Sequence, residues 1–175
     1  MWVFGYGSLI WDGWENKGGR QCVRAAWAEL HGYRRIFNKR SAKNWGTRHA
    51  PCPTLNLEPA EHATCRGKAF EFPRDAKTIH DVLAYLIVRE GCDPCELPIR
   101  IEGVGTARAL VYIHHPPTLL KGTLTPEELA QMAVGAKGED GLCVNYIKSI
   151  AEKLSALGIS DPAVVEMWQA VRAIT

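Results

Sequence analysis

The sequence predicts an α+β fold, a mixed β-sheet or barrel flanked by helices in a single domain spanning residues 1–175. Three observations carry this. The first half alternates short apolar and aromatic runs with glycine- and proline-rich breaks, the apolar period switches to helical spacing at Asp75, and the last third contains helices with readable start signals. A chain of 175 residues leaves little room for a second domain.

Trp2-Val-Phe-Gly-Tyr reads as a short first strand, after which Gly5 and Gly7 permit a sharp turn before Leu9-Ile-Trp11. Arg24 to Arg40 reads as one long, bent strand with Gly32 as a bulge. Asn44 to Pro53 is dense in breakers and is expected to be a loop, followed by two separate strands at Thr54–Leu57 and Cys65–Phe72. From Asp75, residues Ile79, Val82, Leu83, Leu86 and Ile87 fall on one helix face, and Gly91 supplies a left-handed stop just after Glu90. Strands resume at Glu96–Val104 and Arg108–Ile113 and stop at His114-His-Pro-Pro. Thr125-Pro-Glu-Glu is a capping-box start for a helix to about Val134; Leu142–Leu157 and Asp161–Val171 complete the helices, the last capped by Asp161.

Composition removes several function classes. Lys+Arg of 21 against Asp+Glu of 19 gives a formal charge of +2, too balanced for a protein that neutralises nucleic-acid phosphates or an anionic bilayer. With 46% hydrophobic and 23% charged residues the chain is an ordinary globular one. The run Met1-Trp-Val-Phe-Gly is too short and unflanked to be a signal peptide, and no stretch has the length of a spanning helix, so a cytoplasmic protein is expected. Six cysteines, thinly spread, read as reduced thiols rather than a disulfide framework.

Two features suggest chemistry. The loop Gly5-Tyr6-Gly7-Ser8-Leu9 can turn its N–H groups inward as a nest for a carboxylate or phosphate, although the same glycines also suit a plain structural turn. It lacks the third glycine of a dinucleotide fingerprint and the lysine of a phosphate-binding loop, so no nucleotide cofactor is expected. Glu90 closes the amphipathic helix, where a glutamate is ordinarily a solvated surface charge; the negative end of the helix dipole disfavours its ionised form there, and combined with partial desolvation this would suit proton exchange near neutral pH. Arg89 beside it offsets some of that effect. Cys92-Asp-Pro-Cys95 follows a helix and precedes a strand, the wrong polarity for a redox dithiol, and has no second pair to make a zinc site. No metal is expected. Most of the six tryptophans are expected to be core or pocket wall, and Tyr146 is either a buried aromatic or a substrate contact.

Met1-Trp-Val-Phe-Gly-Tyr-Gly-Ser-Leu-Ile-Trp11 and Tyr85-Leu-Ile-Val-Arg-Glu90 together resemble the ChaC-like γ-glutamylcyclotransferase family, with weaker similarity at Tyr33–Arg35, Gly67–Phe70, Gly141–Tyr146 and the final helices. The resemblance implies a central β-barrel and cyclisation of a small γ-glutamyl compound, typically glutathione, to 5-oxoproline. It places the substrate loop on Gly5, Tyr6, Gly7, Ser8 and Leu9, the catalytic glutamate on Glu90 and a further substrate contact on Tyr146. After the glutamate the chain departs from the family's usual Lys-Gly-Gly-Tyr and has Gly91-Cys-Asp-Pro-Cys95. Rival readings are a cyclotransferase for another γ-glutamyl amino acid or amine, and a C-x-x-C redox or binding module.

Overall fold

The computed structural model describes residues 1–17 and 21–175. They form two compact units, one of residues 1–34 and 59–113, the other of residues 35–58 and 114–175. Strands β1 (Trp2–Gly5), β2 (Arg24–Ser41), β3 (Cys52–Glu71), β4 (Cys95–Ile101) and β5 (Gly105–Val111) close a barrel in the order β1-β3-β2-β4-β5. The expected α+β architecture is therefore the observed one.

In the first unit, β1 pairs antiparallel with β3 (Trp2 opposite Glu71) and parallel with β5 (Trp2 opposite Ala109). β4 pairs antiparallel with β5, Cys95 opposite Val111. This register has a direct consequence for function: the C-terminal ends of β1 and β5 and the start of β4 lie at the same end of the barrel. Helix α1 (Ala76–Glu90) delivers the chain to that end. Asp75 caps it, its carboxylate accepting from Thr78 N at 2.9 Å, and Gly91 ends it at φ 72°, a conformation a side chain would oppose.

The core of this unit gathers Val3, Leu9, Trp14, Phe70, Phe72, Val82, Leu86 and Tyr112. Trp14 is fully buried; its ring meets Phe70 edge-on with centroids 5.5 Å apart and lies flat over Tyr85 at 6.1 Å. Its indole N–H donates to Leu9 O at 3.1 Å. The segment after β1 is thus tied to the core by both an apolar ring and a satisfied polar edge.

In the second unit, α2 (Pro126–Gly135), α3 (Cys143–Ala156) and α4 (Pro162–Ile174) pack together through buried Ala130, Ala133, Ile147, Ile150, Leu154, Val164, Met167 and Val171. The capping box at Thr125 and the Asp161 cap both form as the sequence predicts. Asp161 also receives the buried Arg35 guanidinium at 2.9 Å. A two-stranded ribbon, β6 (Lys137–Gly138) with β7 (Gly141–Leu142), joins α2 to α3 and was not expected from the local pattern.

Three expectations are corrected. Thr54–Leu57 and Cys65–Phe72 are not separate strands but the two ends of β3, because the polar, exposed middle interrupts only the hydrophobic pattern and the backbone stays extended. Ile87 is 42% exposed, and Tyr85, packed against the core, takes its place on the inner face of α1. The thiols are not all reduced: Cys52, the first residue of β3, and Cys143, the first of α3, form a buried disulfide with Cα atoms 5.5 Å apart. Cys22, Cys65, Cys92 and Cys95 stand outside the disulfide. No helix among the described residues is long and apolar enough to cross a membrane.

His114 carries a pH dependence. It is 3% exposed and neither ring nitrogen has a hydrogen-bond partner among the described residues; burial first, then the charges of Lys39 and His115, push its pKa down to about 4. The folded state holds it neutral while the unfolded state takes up a proton near pH 6.5, so stability is lost as pH falls from about 6.5 to about 4. The loss approaches about 3 kcal/mol. Denaturant titrations at pH 7 and pH 4.5 check this: His114→Phe is expected to flatten the dependence, and an unchanged slope would remove His114 as its source.

Candidate active site

Glu90 owes its direction to helix periodicity. Val82 and Leu86 are fully buried, and Glu90 is the next residue at a spacing of four, so the stripe that enters the core ends in a carboxylate. Its side chain is 16% exposed. Arg89 follows Tyr85 in the same way and points toward the segment after β1.

That segment begins with a close approach. A Cβ on Gly5 would stand 2.9 Å from Leu9 Cβ, so glycine is what lets the chain double back. Ser8–Ile10 then form a single 3-10 turn, Ile10 N donating to Gly7 O at 3.0 Å. Tyr6 is buried, and its hydroxyl donates to Tyr112 O at 2.8 Å, fastening the loop to the residue just after β5.

Arg89 joins the two candidates. Its Nη2 donates to Ser8 Oγ at 3.0 Å and to the Asp12 carboxylate, its Nη1 to Tyr85 OH at 3.1 Å, and its Nε to Glu90 Oε1 at 3.2 Å. Burial works to lower the Arg89 pKa, but the hydrogen bonds to Asp12 and Tyr85 and the charges of Asp12 and Glu90 outweigh it and raise it, so the guanidinium stays charged. One cation thus lies among a loop hydroxyl and two carboxylates. Tyr112 is 1% exposed and its hydroxyl has no partner; burial, then the charges of Glu90, Cys92 and Asp93, push its pKa up and keep it protonated.

The structure therefore brings Gly5, Tyr6, Gly7, Ser8 and Leu9 to the same end of the first unit as Glu90, linked through Arg89. Tyr146 belongs to the second unit, where its hydroxyl accepts from Leu55 N at 3.1 Å and its ring tilts over Trp45 at 5.4 Å. Cys92 and Cys95 are half-buried and form no disulfide. Among the described residues no cluster of three or more His, Cys, Asp or Glu side chains could hold a metal ion.

A family model described as ChaC-like protein matches residues 1–174. The chain belongs to the ChaC-like family. This ChaC-like chain is 33% identical over 184 residues to gamma-glutamylcyclotransferase 2-3 of Arabidopsis thaliana, covering 99% of this chain and 89% of the relative. It is 27% identical over 180 residues to the glutathione-specific gamma-glutamylcyclotransferase of Escherichia coli K12, covering 99% and 74% of the two chains. A crystal structure of a yeast gamma-glutamyl cyclotransferase specific to glutathione has the same fold, with a TM-score of 0.81 at 19% identity over 99% of this chain and 98% of the other.

Sequence reasoning passed over Asp12 and Tyr112 and took Arg89 only as a charge beside Glu90. Arg89 was legible in principle, since it stands four residues after Tyr85 and beside Glu90. Asp12 and Tyr112 had no signal of their own, because their place beside Glu90 comes from the strand register and not from local spacing.

Proposed function

We propose that this protein is a γ-glutamylcyclotransferase that converts glutathione to 5-oxoproline and Cys-Gly, with residues 1–175 acting as one functional domain. The observation that carries the reading is the single Arg89 link between a half-buried carboxylate, Glu90, and the Ser8 side chain of the glycine loop. The names borne by the Arabidopsis and Escherichia coli relatives support the substrate class.

A γ-glutamyl group carries an α-carboxylate, an α-ammonium and a distal amide. The Gly5–Leu9 loop binds the anionic end and holds the group folded, which turns ring closure into a favoured near-attack geometry. Glu90 accepts a proton from the ammonium; the freed amine attacks the amide carbonyl carbon, and a new N–C bond closes the five-membered ring. Collapse of the tetrahedral intermediate breaks the original C–N bond as Glu90 gives its proton to the departing nitrogen; the ring nitrogen then sheds its second proton to Glu90, which passes it on, so Cys-Gly leaves as the ammonium and 5-oxoproline keeps one N–H. Bonds and protons balance without a cofactor or a covalent enzyme intermediate.

A second reading keeps the reaction and changes the leaving amine. It is favoured by Gly91-Cys-Asp-Pro-Cys95, which gives the segment after Glu90 a composition unlike the family's usual one. Mass-spectrometric assay of 5-oxoproline from glutathione, γ-glutamyl dipeptides and γ-glutamylamines decides between them. Glutathione is expected to give the highest kcat/KM; a dipeptide or amine ahead of it would install the second reading, and no 5-oxoproline from any of them would remove both.

A further inference from the structure

The reaction proposed above leaves Asp12 unused, although it is the strongest partner Arg89 has. Asp12 sits after the 3-10 turn, its side chain 28% exposed, and its carboxylate takes the same Arg89 nitrogen that donates to Ser8. The other Arg89 nitrogens go to Tyr85 and Glu90. A guanidinium is a rigid planar fork, so fixing one end fixes the direction of the rest.

We propose that Asp12 is a positioning residue for catalysis: by holding the Arg89 guanidinium it sets both the place of the Ser8 side chain and the share of positive charge that Glu90 feels. This rests on Glu90 being the proton-transfer group. The groups around Glu90 are Arg89 on its own helix, which touches it, Tyr85 and, from the segment after β1, Asp12, both of which touch Arg89, and Tyr112 after β5, on which the charges of Glu90, Cys92 and Asp93 act together. Arg89 is the one cation in that set, and Asp12 is the anion bound to it. A carboxylate beside an arginine whose charge is unopposed is held ionised and becomes a weaker base. Asp12 opposes that charge, and Arg89 keeps the geometry.

Asp12→Asn removes the charge and keeps the shape. Its effect on Glu90 has one sign: both the loss of a neighbouring negative charge and the unopposed Arg89 favour the ionised carboxylate. The rising limb of the kcat–pH profile is expected to move down by about one pH unit, as for a unit charge at short range in a partly solvated site. The weaker base lowers kcat about threefold to tenfold at the plateau. Asp12→Glu is expected to restore the profile in large part.

The experiment measures kcat–pH profiles of wild type, Asp12→Asn, Asp12→Glu, Glu90→Gln and the pair Arg89→Met with and without Asp12→Asn, alongside thermal midpoints. If Asp12 acts through Arg89, Asp12→Asn lowers kcat clearly less in the Arg89→Met background than in the wild type, where it also releases the guanidinium; an equal effect in both backgrounds overturns the route through Arg89. A role confined to folding would lower the midpoint and leave the profile in place, which overturns the proposal. Loss of activity in Glu90→Gln with a wild-type profile in Asp12→Asn also overturns it while leaving Glu90 as the base. Full activity in Glu90→Gln overturns both.

Discussion

Glu90→Gln is expected to fold as the wild type does and to lose a factor of about 10²–10⁴ in kcat, the range a positioned general acid–base group supplies. Glutamine keeps the size and the ability to accept from Arg89 Nε, now 3.2 Å from Glu90 Oε1, so the α1 terminus and the Gly5–Leu9 loop stay in place. What it loses is the capacity to take a proton from the α-ammonium. KM is expected to change little, since on this account the carboxylate acts in the transition state and the loop does the holding. Steady-state assay of 5-oxoproline with thermal unfolding as control checks it. A wild-type kcat in a folded Glu90→Gln protein would take the proton-transfer role away from this residue.

The second large effect is on stability. The Cys52–Cys143 disulfide joins residues 91 apart in sequence, and closing so long a loop in the unfolded chain is worth about 4–5 kcal/mol on the chain-entropy account. Reduction of the unfolded protein followed by refolding under reductant is expected to lower the thermal midpoint by about 10–15 °C. Alkylation in denaturant without reductant provides an independent count: four of the six cysteines are expected to react. Reaction of all six, with identical melting under oxidising and reducing conditions, would show that the thiols are reduced in the folded protein.

What could be read from the sequence was whatever local chemistry fixes. The helix over Ala76–Glu90 was legible because a cap, an apolar period and a terminal glycine agree, and that agreement also put Glu90 on the page as a carboxylate at a helix end. The capping box at Thr125 was legible for the same reason. β3 was misread as two strands because a strand whose middle faces solvent loses its alternation without losing its backbone. The disulfide was missed because composition says nothing about which cysteines meet; β3 and α3 begin side by side only once the chain has folded. Gly5–Leu9 and Glu90 were candidates from their own sequence context. Asp12 and Tyr112 were not, since β1 running parallel to β5 and Arg89 reaching across from α1 are tertiary facts.

The claim at the centre of the account is that the substrate's own amine, not water, cleaves the γ-glutamyl amide. Turnover of glutathione in ¹⁸O-enriched water tests it most directly. Ring closure retains the original carbonyl oxygen, so the account predicts 5-oxoproline and Cys-Gly in equal amounts with no label in either. Glutamate carrying one solvent oxygen in its γ-carboxylate would mean hydrolysis and would contradict it.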